Sequence, residues 1–590
     1  MMRRFAAALL VALALALVAR PLLQREVFTF RDHTDYFQPL RWFTATSLKA
    51  GRLPLWNPYS ASGEPWLANP QTAVFYPPAW LFLVLPFEAA YMLYLALHLG
   101  LLGCGALLLF ARRASLGAAL IGAVALTFCG PTLSLLDVQN NLTTFAWLPL
   151  VIWCAASRAS AMWSAAAIAM SFLAGEPFFA AAGALIFAVV RRRDVLEVGA
   201  QSFALAGVQL VPFLAMLRGS DRVGAGATDL RDAMPLRDWL RVAVPPSLTP
   251  GGYDPALGQH FIPIVYVGVI TCALAAIGLA FAWRRAGPWL ALLAAAMLFA
   301  HLPLLFVRYP ARLVPFGALA IVAIAVEGWD VVARVVRFRW IAVLVALAIF
   351  AELIASARPL LVTAPIAWHR QVPYTIAFGR DAKIVRVGDP ALVALNRRAW
   401  IGGYLNLYER RFDTWTAAPL VARNYEQLYE RAVRDPSMRL LDAMSAGYVL
   451  APRGRDVVAF RNRAALPLAY AGNAVPSLLA FGTTFVHAVV TLPSPSTLIV
   501  TQQRAPGWSV DVDGHRATPE GGDFLAVQLP SGTHDVLWRY RSVPLLVGAL
   551  LTLVALARML FPQSFVKRRA HENFFHGTLE MSGNCERREV

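Results

Sequence analysis

Residues 89–113 read AAYMLYLALHLGLLGCGALLLFARR, and this stretch decides the fold. From Ala89 to Ala111 there is no Asp, Glu, Lys or Arg, and a helix that crosses the hydrocarbon core takes about 20 such residues. Main-chain polar groups in lipid must be satisfied within the segment, so the run has to be helical. The pair Arg112-Arg113 that ends it marks a cytoplasmic boundary.

The same pattern recurs along the chain. Further apolar runs lie near 5–18, 116–134, 143–157, 162–175, 177–190, 196–215, 262–282, 287–307, 313–333, 340–357 and 543–561. Basic clusters close several of them: Arg191-Arg192-Arg193, Arg284-Arg285, Arg334 with Arg337 and Arg339, and Lys567-Arg568-Arg569. If every run spans, all these clusters fall on one side, which predicts about twelve transmembrane helices with both termini cytoplasmic. The first run, behind Arg3 and Arg4, reads as an uncleaved signal anchor in preference to a cleaved signal peptide. The short pair around Gly175-Glu176-Pro177 reads either as a tight external hairpin or as a re-entrant element.

Composition agrees. The 590 residues are 58% hydrophobic and only 15% charged, with a mean hydropathy of +0.55, where soluble domains hold about 25% charged residues. A multidomain soluble protein is excluded. The net charge of +18 sits largely as arginine between apolar runs, so it reads as topology and not as a nucleic-acid surface. Four of the five cysteines lie inside apolar runs, without metal or disulfide spacing.

The predicted organisation is a transmembrane bundle over 1–357 with external loops 24–88 and 216–261. An external soluble domain follows over 358–541, then a last span over 542–561 and a cytoplasmic tail over 562–590. Within the soluble domain, residues 382–387 read as a strand, Asn424 to Ala446 as a helix, and about 480–541 as β. The Asp513-Gly514 pair after Trp508–Val512 is a hairpin signal, and Phe524–Leu529 and Val536–Tyr540 continue the ladder.

Acidic residues near the membrane are scarce, so each is a candidate. Asp32 and Asp35 stand about ten residues past the first span, in Arg31-Asp32-His33-Thr34-Asp35-Tyr36. Two carboxylates there suit a general base and an orienting or metal-binding group; a helix cap and a solvated acid are the plainer alternatives. The same loop carries Trp56, Asn57, Gln71 and Tyr76 among many prolines, a stiff surface for sugar stacking or for interfacial anchoring. Arg308, Tyr309 and Arg312 join two spans on the outer side, against the positive-inside bias, and arginine's fork fits a lipid phosphate. Headgroup snorkelling is the alternative there. Glu176 is an intramembrane or interfacial acid, either functional or paired with an arginine. No Walker P-loop, HExxH, GxSxG or paired CxxC occurs, so no nucleotide cofactor is expected.

These residues resemble the bacterial YfhO family, membrane proteins related to glycosyltransferases of the GT-C fold. The resemblance runs from about 25 to 560. It rests on Asp32…Pro39, Gly51…Pro54-Leu55-Trp56-Asn57-Pro58, Gly63, Gln71…Phe75-Tyr76-Pro77, Trp147-Leu148-Pro149, Gly175-Glu176-Pro177, Gln209…Pro212, Arg308-Tyr309-Pro310 and Pro506-Gly507-Trp508…Val512-Asp513-Gly514…His534. It implies a GT-C-like helical bundle in the bacterial cytoplasmic membrane, a catalytic first external loop and an external C-terminal domain. It further implies transfer of a sugar from a polyprenyl-phosphate donor to a glycan or glycopolymer acceptor on the outer face. Asp32 matches the expected base by position; Asp35 stands where the family often has a neutral polar residue, so the base is one or the other. A divalent metal is compatible with the phosphate chemistry. Two rivals from other classes are a flippase of lipid-linked sugars and a non-catalytic envelope scaffold. The flippase needs polar residues along mid-helix, whereas the polar groups here collect at helix ends.

Overall fold

The computed structural model describes residues 2–220, 233–246, 260–302, 309–336, 338, 340–366, 379–387, 401–435, 437–453 and 456–560. Arg308, most of the loop 216–261 and the tail 562–590 therefore lie outside the described residues.

Six helices among the described residues are long and apolar enough to cross a membrane: Met2–Gln24, Phe87–Phe110, Val269–His301, Pro310–Val332, Trp340–Leu360 and Val543–Leu560. Val195–Leu205 and Gly207–Arg218 are bent by 86° against each other and make a seventh if taken as one broken span. These helices are those of a membrane-embedded protein. Twelve were expected. The difference lies in runs that the chain breaks up: Leu116–Phe128, Leu148–Ser157, Ala161–Leu173 and Pro177–Val190 have 10 to 14 residues each. At 1.5 Å per residue such a helix covers about 15–21 Å, short of a hydrocarbon core of about 30 Å. Gly130-Pro131, Pro149 and Gly175-Glu176-Pro177 supply the breaks.

The runs near 262–282 and 287–307 join as Val269–His301, broken at Ala282, whose φ is −134°. Gly278 packs against the Ile324 and Gly328 backbone, Arg285 reaches Glu327, and Gly317 faces Ala296. The chain therefore turns back near Ala282, and both arms lie along Val314–Val332.

The C-terminal part is strand-rich. A five-stranded antiparallel sheet runs in the order His515–Ala517, Trp508–Val512, Gly532–Tyr540, Phe485–Leu492, Leu478–Phe481. It packs on a three-stranded sheet of Phe524–Leu529, Ser496–Gln503 and Ala469–Tyr470. Alternate residues Val486, Ala488, Val490, Val536 and Trp538 meet Leu498, Val500, Leu525 and Val527 in one core, which makes the pair a sandwich. Asp513 and Gly514 both have positive φ, the geometry of a two-residue hairpin turn matched to strand twist. The helical pattern 424–446 is realised as two helices, Arg423–Arg434 and Arg439–Ala443, with Asp435-Pro436 in the sequence between them.

Two clamps position the loop 24–88. The strand Glu26–Phe28, directly after the first helix, pairs with Thr363–Pro365 and fixes where the chain leaves the membrane. Farther on, residues 56–64 are built into the C-terminal part: Trp56 N donates to Thr483 O at 2.9 Å, Gln503 N to Ser62 O at 2.6 Å, and Asp413 N to Tyr59 O at 2.8 Å.

Candidate functional site

Arg31 adopts a positive φ, and the chain then winds into the one-turn π-helix His33–Phe37 before the helix Gln38–Lys49. A π-turn spreads the backbone and re-aims side chains, and such bulges concentrate at functional sites. It brings His33 to the start of the helix Phe87–Phe110. Arg31 Nε lies 2.7 Å from Asp137 Oδ2, and its Nη1 donates to the His260 carbonyl at 2.6 Å. His33 Nδ1 meets the Tyr91 hydroxyl at 2.7 Å. Tyr36 Oη donates to Gln71 Oε1. Burial pushes the Asp137 carboxyl well up, Arg31 opposes this, and the Asp32 charge adds to the rise. Burial likewise holds the Tyr36 phenol protonated far above its usual range.

Glu176 and Gly175 come to the same face. Gly175 has φ +109° and packs so closely on the first loop that an added Cβ would stand 2.8 Å from the Pro70 carbonyl oxygen; only glycine fits this approach. Thr143 Oγ1 donates to Ala174 O at 2.9 Å and Glu176 N to Thr144 Oγ1 at 3.1 Å, which ties the turn to the helix Gln139–Phe145. Arg312 Nη1 lies 3.2 Å from Glu176 Oε1, and its guanidinium stands over the rings of Phe178, Phe261 and Tyr309. Glu176 Oε2 also accepts from Phe179 N at 2.5 Å, as the cap of its helix. Of the two alternatives for Glu176, the arginine pair is the geometry found.

The predicted residues thus divide. Asp32, Gln71, Glu176, Tyr309 and Arg312 gather with Arg31, Tyr36 and Asp137 on one face. Asp35 is 5% exposed, and its main-chain oxygen accepts from Tyr404 N at 2.6 Å, so it faces the C-terminal part. Trp56 is fully buried against Trp508 and Tyr540, its Nε1 donating to Gln502 Oε1 at 3.0 Å. Asn57 Nδ2 donates to Ser60 and Glu64. Tyr76 is buried between His98 and Trp147. These four do not line the face that carries Asp32.

One residue sequence reasoning missed is Arg41. It is 2% exposed, its Nε donates to Gln139 Oε1 at 2.9 Å, and its Nη1 donates to the carbonyls of Gln71 and Thr72 at 2.9 and 2.7 Å. Its only sequence signal was a charge inside the otherwise uncharged helix Gln38–Lys49, whose terminal Lys49 is the other basic residue. Among the described residues no group of three or more His, Cys, Asp or Glu is placed to hold a metal ion.

The chain matches no protein-family model, and no curated protein matches it.

Proposed function

We propose that the protein is a membrane glycosyltransferase that moves a sugar from a polyprenyl-phosphate carrier to a glycan or glycopolymer acceptor. In this reading the bundle is GT-C-like; its twelve spans are the six long helices with Val269–His301 divided at Ala282, the bent pair over 195–218, and the four short helices, which then need a locally thinned bilayer. It lies in the bacterial cytoplasmic membrane, with both termini cytoplasmic and 358–541 outside. The observation that carries it is the setting of Asp32: a carboxylate just past the strand Glu26–Phe28, with its charge acting on Asp137 and Tyr36. Asp32 removes the proton from the acceptor hydroxyl, whose oxygen attacks the anomeric carbon. The bond from that carbon to the phosphate oxygen breaks, and the phosphate leaves with the electron pair. No nucleotide is needed, because the lipid phosphate is already the leaving group. The enzyme supplies position, the base and positive charge for the departing oxygen.

The test is transfer from a labelled polyprenyl-phosphate sugar by the full chain in nanodiscs, wild type against Asp32→Asn. Loss of transfer with retained donor binding supports the reading. Full activity in both Asp32→Asn and Asp35→Asn removes the enzyme reading of this loop. Reporter fusions after Arg193, Arg285 and Lys567 should read cytoplasmic and one after Pro452 external.

A further inference from the structure

Pro39 carries no N–H, and the carbonyl four residues before it is that of Asp35. A proline within a helix withholds the α-helical donor from that carbonyl, and its ring crowds the same oxygen. The chain widens here: Gln38 N reaches back five residues to His33 O, and the π-helix His33–Phe37 results. The Asp35 carbonyl is met from the C-terminal part, where Tyr404 N donates to it at 2.6 Å. Gly403 makes this approach possible. It has φ +62°, and an added Cβ would stand 2.5 Å from the Asp35 carbonyl carbon. Tyr404 is fully buried, its ring centroid 5.1 Å from that of Tyr36 and 5.3 Å from that of Trp66. Thr416 Oγ1 donates to its hydroxyl at 3.3 Å.

We infer that Gly403 and Tyr404 are positioning residues for the base: the C-terminal part holds the π-turn that fixes where Asp32 stands. The inference rests on Asp32 being the base of the proposed reaction. Asp32 immediately precedes the turn. A return to α winding would rotate what precedes it by about 100° against the helix Gln38–Lys49, the angle of one residue. The pairing of Glu26–Phe28 with Thr363–Pro365 fixes the chain farther ahead, so the slack would fall on residues 29–32. The same rotation would draw Arg31 off Asp137. Misplacement of a reacting group by about 1 Å costs up to about 10²-fold in rate. Both holds on the turn come from residues beyond 358, which makes the C-terminal part a working component of the site.

The experiment uses the full chain in nanodiscs, with transfer from a labelled polyprenyl-phosphate sugar and hydrogen exchange read on the same samples. Gly403→Ala puts a methyl group into the contact. It should lower kcat by about tenfold or more and leave the donor KM within about threefold of wild type. Exchange should rise over 33–38 and stay as in wild type over Gly532–Tyr540, the central strand of the five-stranded sheet, which reports that the C-terminal part is folded. In an Asp32→Asn background the same substitution should cost nothing further, because it acts through Asp32. A loss that multiplies with that of Asp32→Asn would make Gly403 a plain structural residue and overturn the inference. Pro39→Ala is the second variant and leaves the C-terminal part untouched. It gives the Asp35 carbonyl a donor from its own helix, in competition with Tyr404, and should also lower kcat. Wild-type kcat in either folded variant overturns the inference. Full activity in Asp32→Asn would instead sink the proposed base; raised exchange over 33–38 in Gly403→Ala would then still establish the hold on the turn, and unchanged exchange would remove that as well.

Discussion

The loop 24–88 contains two regions of similar composition and opposite behaviour. Residues 53–64, LPLWNPYSASGE, and residues 69–80, NPQTAVFYPPAW, are both rich in proline and aromatics. In the first, the named polar side chains find protein partners: Trp56 with Gln502 and Glu64 with Thr416 Oγ1 at 2.7 Å across the joint, and Asn57 with Glu64 inside the segment. Gly63, at φ +94°, lies so close to Trp56 and Gln502 that an added Cβ would clash at 2.3 Å. The second region instead leans on Arg41 and Gln139, whose Nη2 and Nε2 remain without acceptors. Aromatic density does not separate the two regions; their partners do, the first meeting the C-terminal strands and the second the helix Gln38–Lys49 and, through Arg41, the helix Gln139–Phe145.

The largest expected effect tests the binding half. Asp32→Asn should lower turnover by roughly 10²–10⁴-fold, as for a lost acid–base catalyst, while Asp35→Asn, at a buried residue turned toward the C-terminal part, should cost turnover far less. Transfer kinetics with a labelled donor check both. If Asp35→Asn collapses activity and Asp32→Asn does not, the base moves to the joint half and the contrast between the two regions is lost.

Next in size is the joint. Trp56→Ala removes a fully buried indole from between Trp508 and Tyr540, and core truncations of this kind cost about 3–5 kcal/mol. Hydrogen exchange should rise in Ser496–Gln503, which the loop covers, while polyprenyl-phosphate binding stays as in wild type. A variant with unchanged exchange in that strand would show that the joint does not depend on Trp56.

The helical class and the strand-rich C-terminal part were legible in the sequence for a physical reason. Uninterrupted apolar runs and period-two alternation are local signals, and the Asp513-Gly514 turn names its own geometry. What the sequence did not disclose was lateral. Whether Trp56 stacks on a sugar or on Trp508 depends on a residue some 450 positions away. Whether Glu176 serves a substrate or Arg312 depends likewise on a distant span. Arg41 escaped notice because a single arginine in a helix reads as surface, and only the fold buries it.

A third expectation concerns pH. Burial pushes the Glu64 carboxyl from its ordinary 4.5 up to about 7, while hydrogen bonds from Thr416 and Asn57 hold it down. The folded protein therefore keeps a proton between these values that the unfolded chain releases. The contribution is fully present below 4.5 and is lost as pH rises through about 7; at about 1.4 kcal/mol per pH unit this amounts to roughly 3 kcal/mol. The joint should loosen toward neutral pH. Glu64→Gln should flatten the pH profile of exchange in Ser496–Gln503, and an unaltered slope in that variant would assign the dependence elsewhere.

The smallest effect belongs to Arg312 and Glu176, which pair with each other while Arg312 Nε stays buried without an acceptor. With side chains 16% and 8% exposed and 3.2 Å apart, removal of the arginine alone leaves a buried carboxylate that has only its helix cap. Arg312→Ala should therefore destabilise more than Arg312→Ala combined with Glu176→Gln, with a coupling of about 1–2 kcal/mol in a double-mutant cycle. Donor affinity separates the remaining roles. If the pair is structural, the double variant binds a labelled polyprenyl phosphate within about threefold of wild type, since RT ln 3 is under 1 kcal/mol. An affinity loss in Arg312→Ala that persists undiminished in the double variant would give Arg312 to the phosphate. The pair would then belong with the ligand and not with the frame that holds the turn Gly175-Glu176.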